Sequence, residues 1–170
     1  MKLNELLLPE YDREVARSRK ALEQIPDGKR DWKPHDKSMQ FGYLSEMVAT
    51  IPTWVAMMID RDELDIAPTD GAHMKREQLN TRDDYLRAHE KASADGPAAL
   101  QSGTDEHLLK PWRLLVAGNV VLEMSRHDMV SDSSNHLVHH GRHMTRYVRL
   151  MGARVPALYG PSADDQAFSG

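Results

Sequence analysis

The chain has 170 residues, a formal net charge of −4, no long basic run and no cysteine. That length suits one domain, residues 1–170, with a real core, and the charge argues against a nucleic-acid partner. Without cysteine there are no disulfides, thiolate nucleophiles or cysteine-rich zinc sites, so any metal must be held by His, Asp, Glu or water.

The chain starts MKLNELLLPEYDRE, whose apolar run is only three residues long before Pro9, too short for a signal sequence. No stretch approaches the roughly 20 apolar residues of a membrane span, so no membrane is expected and the cytoplasm is the default location. Leu7, Tyr11, Val15, Ser18, Leu22 and Ile25 then step by 4, 4, 3, 4 and 3, one helical stripe that Pro26-Asp27-Gly28 ends. After a polar loop, Ser38 is placed to cap a second helix with the stripe Phe41, Leu44, Val48, Ile51, Val55 and Met58. Pro52 lies inside that pattern and should kink it. The charged stretch Asp60–Asn80, with Pro68 and Gly71, reads as a loop. Thr81-Arg82-Asp83-Asp84 resembles a capping box opening a third helix, which Asp95-Gly96-Pro97 interrupts. Two β-branched runs, near 112–116 and 120–124, flank Gly118-Asn119 and predict a hairpin. A last helix from about Arg126 to Met151 should stop at Gly152. The Pro/Gly-rich tail is irregular. With two Phe, five Tyr and three Trp, the core must draw on the ten Met and the leucines, and Trp32, Trp54 and Trp112 are expected to pack rather than bind.

The stretch 135–143, NHLVHHGRH, holds four of the nine histidines. Met129, Ser133, His136, His140, Met144, Tyr147 and Met151 form a stripe, with His136 and His140 on it and His139 and His143 beside it. An i, i+4 pair points both imidazoles the same way, the spacing by which helical histidines hold a metal. The same spacing suits two core histidines hydrogen-bonded to backbone or to acids of neighbouring helices.

Three stretches carry a family resemblance. HLVHHGRHMTRYVRLMGARVPALYGPSADD is similar to the C-terminal signature of the DinB/YfiT-like family, close to NHxxHHRGQ followed by YLR, VP and YGPSADE. SMQFGYLSEMVATIPTW resembles its LxxHxAxIPxW segment, and KPWRLLVAGNVVLEMSR its PW…G…PR hairpin. The resemblance covers most of the chain in collinear order. It implies a mainly all-α fold, an up-up-down-down four-helix bundle with a small β-hairpin before the last helix, often paired as a homodimer. It also implies three helical histidines holding a divalent metal such as nickel or zinc. The better-known members are transferases or isomerases using a low-molecular-weight thiol such as bacillithiol or mycothiol. Many others are described only as metal-dependent hydrolases without an assigned reaction.

Carried over by residue, His136 and His140 match the metal-binding pair. The third histidine position, aligned on Ile51-Pro52-Thr53-Trp54, holds Met47, a soft thioether poorly suited to zinc or nickel in a histidine site. HHRGQ reads His139-His140-Gly141-Arg142-His143, with Gly and Arg exchanged and Gln replaced by His. Glu46, His127 and His143 are neighbouring ligand types. Tyr147 and Tyr159 offer hydroxyls, Met47, Met124, Met129 and Met144 an apolar lining, and Asp164-Asp165 a docking point for the tail. Two readings follow. One is a metal-dependent hydrolase or thiol-dependent transferase of a small molecule with a degenerate site. The other is a non-catalytic, metal-free dimeric bundle serving as a binding or stress-response scaffold.

Overall fold

The first apolar stripe becomes α1, Leu3–Leu22, in the computed structural model, which describes residues 1–69 and 78–167. Leu7, Tyr11, Ser18 and Leu22 are buried as the stepping requires, and so is Glu14, one position off the stripe. Residues 23–40 cross to α2, Phe41–Thr50. Ser38 does not cap this helix. The helix begins after Gln40 without a side-chain cap, because the crossing loop supplies acceptors instead. The amides of Phe41 and Gly42 donate to the carbonyls of Trp32 and Arg30, each at 2.8 Å. Pro52 does more than kink the helix. With no amide to donate and its ring against the preceding turn, it ends α2 and a separate α3 runs Thr53–Asp60.

Thr81 and Asp84 form the expected box at the start of α4, Arg82–Ser93. The Asp84 amide donates to Thr81 Oγ1 at 3.2 Å and the Thr81 amide to Asp84 Oδ2 at 2.9 Å. Asp95-Gly96-Pro97 bends the chain into α5, Gly96–Ser102, followed by the single turn α6, Asp105–Leu108. α7 is Arg126–Leu150, ended by Gly152 at φ +78°.

The hairpin is β2, Pro111–Val116, and β3, Asn119–Ser125. Its two-residue turn is Ala117-Gly118, one place before the expected Gly118-Asn119, because Val116 pairs with Asn119. Both turn residues have positive φ, +51° and +77°, the type I′ geometry that matches strand twist. A third strand interrupts the loop expected over Asp60–Asn80: β1, Glu63–Asp65, lies parallel to β2, giving the order β1-β2-β3. Gly71 of that expected loop lies outside the described residues. The Asp65 carboxylate accepts from the amides of Ala117 and Gly118 at 3.2 and 2.7 Å, so β1 holds the hairpin turn. Asn tolerates left-handed φ where Ala does not. Ala117→Asn is therefore expected to raise stability by about 0.5–1 kcal/mol, read by urea unfolding.

Arg126, the first residue of α7 and almost wholly buried, fixes the sheet to the bundle. Its guanidinium donates to the carbonyls of Pro111 at 2.9 Å and Arg61 at 3.2 Å and pairs with Asp62. α7 packs on α1, α2 and α3, α2 packs on α4, and α1 and α3 pack on α5. The result is a four-legged bundle whose second and third legs are broken, the mainly all-α class expected. Its core has one cluster around Leu22, Phe41, Val48, Leu137 and Met144, which includes Met47, and another around Leu7, Tyr11, Val55, Trp112 and Val130. Trp112 is buried, while Trp32 and Trp54 pack against the first cluster from its edge.

Candidate metal centre

The buried residues of α7 are Arg126, Met129, Val130, Ser133, Ser134, Leu137, His140, Gly141, Met144 and Val148. The face they form is rotated from the stripe expected. His140 is on it, but His136 is exposed at its margin and Tyr147 only half-buried. Leu137 and Val148, two aliphatic residues off the expected stripe, turn the helix that way because they bury more apolar surface than His136 does.

At that margin the two imidazoles meet. Nε2 of His136 lies 2.8 Å from Nε2 of His140, and their rings are 4.5 Å apart at 60°. Trp54, the second residue of α3, lies 5.4 Å from the His136 ring and walls the pair on one side. His139 continues the array, 5.2 Å from His140 and 4.3 Å from His143. Burial, then the neighbouring His136, His139 and His143, hold the His140 pKa down to about 4. His136 is lowered by burial and by His139, against an opposing pull from Asp132. His143 is lowered by burial, His139 and Arg146. These three imidazoles are therefore neutral at pH 7, with lone pairs available. Nδ1 of His140 is buried and has no hydrogen-bond partner among the described residues.

Two nitrogens at 2.0–2.1 Å from one ion and at right angles to each other stand about 2.9 Å apart. The His136/His140 pair thus matches two adjacent metal ligands with almost no movement. The third member of a three-histidine set is missing on α2, where Met47 is buried in the apolar cluster and offers only a thioether. Glu46 does not replace it. Its carboxylate is engaged by Arg30 at 2.6 Å and by the Leu79 amide at 3.2 Å. His127 pairs with the adjacent Asp128 at 3.0 Å, near the start of α7. Among the described residues, a group of three candidate ligands forms only at His139, His140 and His143, whose ring nitrogens all lie within 4.8 Å of one another.

The exchange of Gly and Arg at 141–142 has a visible result. Gly141 leaves open space where a Cβ would stand. Beside it, a small cleft is lined by Glu14, Arg17, Ser18, Arg142 and Tyr159. Tyr159 donates to the buried Glu14 carboxylate, Arg17 pairs with Glu14 at 2.6 Å, and the Arg17 guanidinium stands 4.3 Å from the Tyr159 ring centre. Burial and this bond to Glu14 push the Tyr159 pKa up. Tyr159 is therefore a fastener of the tail rather than a donor to the histidines. Asp164 and Asp165 complete the fastening: Asp164 pairs with Arg149 and accepts from the Val155 amide at 2.9 Å, and Asp165 accepts from the Ala157 amide at 3.1 Å.

Among the buried polar groups that escaped the sequence reading are Glu14, His89 and Arg126. His89, on α4, lies 2.8 Å from Ser18 Oγ through Nε2. Its place one turn after the buried Tyr85 was the available signal.

The DinB family's sequence model matches residues 1–168. The crystal structure of a DinB-like protein, YjoA, from Bacillus subtilis superposes with a TM-score of 0.67 at 17% identity, covering 95% of this chain and 99% of that one. At that identity the likeness concerns the fold. No curated protein matches the sequence. Among the described residues no helix is long and apolar enough to cross a membrane.

Proposed function

The chain belongs to the DinB family, and from that premise we propose that it is a metal-dependent enzyme acting on a small molecule, a hydrolase or a thiol-dependent transferase. His136 and His140 are the ligand pair in this reading. The observation that carries it is the 2.8 Å approach of two Nε2 atoms, one on a buried and one on an exposed imidazole. A divalent cation held there, nickel or zinc, supplies Lewis acidity and with it a nucleophile at neutral pH from water or a thiol. The chain's own residues do the rest. His140 is fixed by burial in the α7 face. His136 is open to solvent, so substrate can approach from its side. Trp54 offers a flat apolar wall against which a small molecule can lie. We place the protein in the cytoplasm as a homodimer, with a low-molecular-weight thiol as the co-substrate of the transferase branch.

The 2.8 Å distance also favours a second reading. One Nε2–H donating to the other Nε2 satisfies both nitrogens without metal. In that case the bundle is a non-catalytic scaffold. The substitution Met47→His separates the two, because it adds a borderline nitrogen ligand at the position aligned with the third histidine. It is expected to tighten zinc or nickel binding at least tenfold at pH 7.5 in a competition titration, and adding His140→Ala should abolish that gain. Equal affinity of wild type and Met47→His would reject the ligand pair.

A further inference from the structure

The histidine missing from α2 has a counterpart on α7 itself. We propose that His139, His140 and His143 form a separate site for a borderline transition metal, Zn(II), Ni(II) or Cu(II), on the open side of the last helix. This goes beyond the reading above and shares only His140 with it.

The three residues sit at i, i+1 and i+4. Their ring nitrogens are mutually within 4.8 Å. Nitrogens bound to one ion at 2.0–2.1 Å stand about 3.3 Å apart in a tetrahedral arrangement and at most about 4.2 Å. Closing the set therefore takes shifts of about an ångström. His139 is exposed and His143 half-buried, so both reach by small rotamer changes, while His140 is anchored in the core face. His140 also has a nitrogen to spare: its Nε2 lies against His136, while its Nδ1 has no hydrogen-bond partner among the described residues.

The donor set fixes the metal class. Three imidazoles and no carboxylate suit zinc, nickel and copper, and do not suit magnesium or calcium, which require oxygen. Arg146, whose charge already acts on His143, stands beside the site and weakens any cation there. Three nitrogens leave coordination positions to solvent or to an anionic ligand that Arg146 would favour.

The test uses the full chain at pH 7.5 and a chromophoric chelator as competitor, with zinc, nickel and magnesium as probes. His139→Ala/His143→Ala is compared with His136→Ala and the wild type, with circular dichroism confirming that each is folded. The double variant is expected to lose at least tenfold in zinc and nickel affinity, His136→Ala less than threefold, and magnesium should not compete at all. Wild-type affinity in the double variant overturns the site. So does an equal loss in both variants, or magnesium competing as well as zinc. The double variant's failure would leave the Met47→His result standing, since that rests on His136; the two readings fail separately.

Discussion

On lowering the pH from 7.5 to 5, the protein is expected to lose about 2 kcal/mol of stability through His89 alone, and about 3 kcal/mol by pH 4. His89 is buried between α4 and α1 against Ser18. Burial, and secondarily Arg19, depress its pKa from 6.5 to about 4. Its neutral form is the one the fold accepts. Well above pH 6.5 folded and unfolded chains carry the same proton count at this residue. Between 6.5 and 4 the unfolded chain binds the extra proton, so stability falls with pH across that window and is level above it. His140, lowered to the same value, titrates in the same window. The carboxylates with lowered pKa, such as Asp84 and Asp164, act only below about pH 4. The difference between wild type and His89→Gln in urea unfolding at pH 7.5 and 5 therefore isolates His89. If the variant is as acid-sensitive as the wild type, His89 is not the group responsible.

Gly96→Ala should cost about 3 kcal/mol, near the upper end of overpacking losses. A Cβ at Gly96 would stand 2.3 Å from the Tyr11 hydroxyl, 2.4 Å from Cζ and 2.8 Å from Cε1. Tyr11 is itself buried, and its hydroxyl donates toward the Ser93 carbonyl at 3.3 Å, with the Pro52 carbonyl at 3.5 Å. A rigid ring with those ties cannot retreat as a flexible side chain would. Removing the hydroxyl does not clear Cζ, so Tyr11→Phe should not rescue Gly96→Ala. Thermal unfolding of the two single variants and the double variant decides it. Full rescue would show that the ring has room to move.

The parts of this fold that were legible in the sequence are those specified locally. The Thr81/Asp84 box, the Gly152 stop, the disturbance at Pro52 (read as a kink, found as a break) and the hairpin each depend on a few adjacent residues with special chemistry. β1 does not. Glu63-Leu64-Asp65 has two charges in three residues, and it is a strand only because Arg113, Leu114 and Leu115 lie alongside. The start of α2 failed for a similar reason, since carbonyls of the preceding loop replaced a side-chain cap. On α7 two neighbouring stripes compete, and periodicity cannot rank Leu137 against His136 without knowing what faces them. The histidine pair was thus found at the right spacing, while its half-open setting was not. Met47 stood out by its departure from the family pattern. The grouping of His143 with His139 and His140 was visible only as spacing on one helix, because whether their nitrogens converge depends on rotamers.

The bond from Tyr159 to Glu14 joins residues 145 positions apart, and α1 also packs on α7. This has a consequence for the time order of folding. Contacts of such long sequence separation require a large loop to close, so they form slowly. During synthesis the first helix emerges long before α7, so the side of it that packs on α7 stays uncovered even after α2 to α5 have appeared. At about 5–20 residues per second the gap before the last helix and tail follow is on the order of ten seconds. A nascent chain halted before residue 126 should therefore leave the α7-facing side of α1 open to chaperones, and that side is covered only when the last helix and the tail are released.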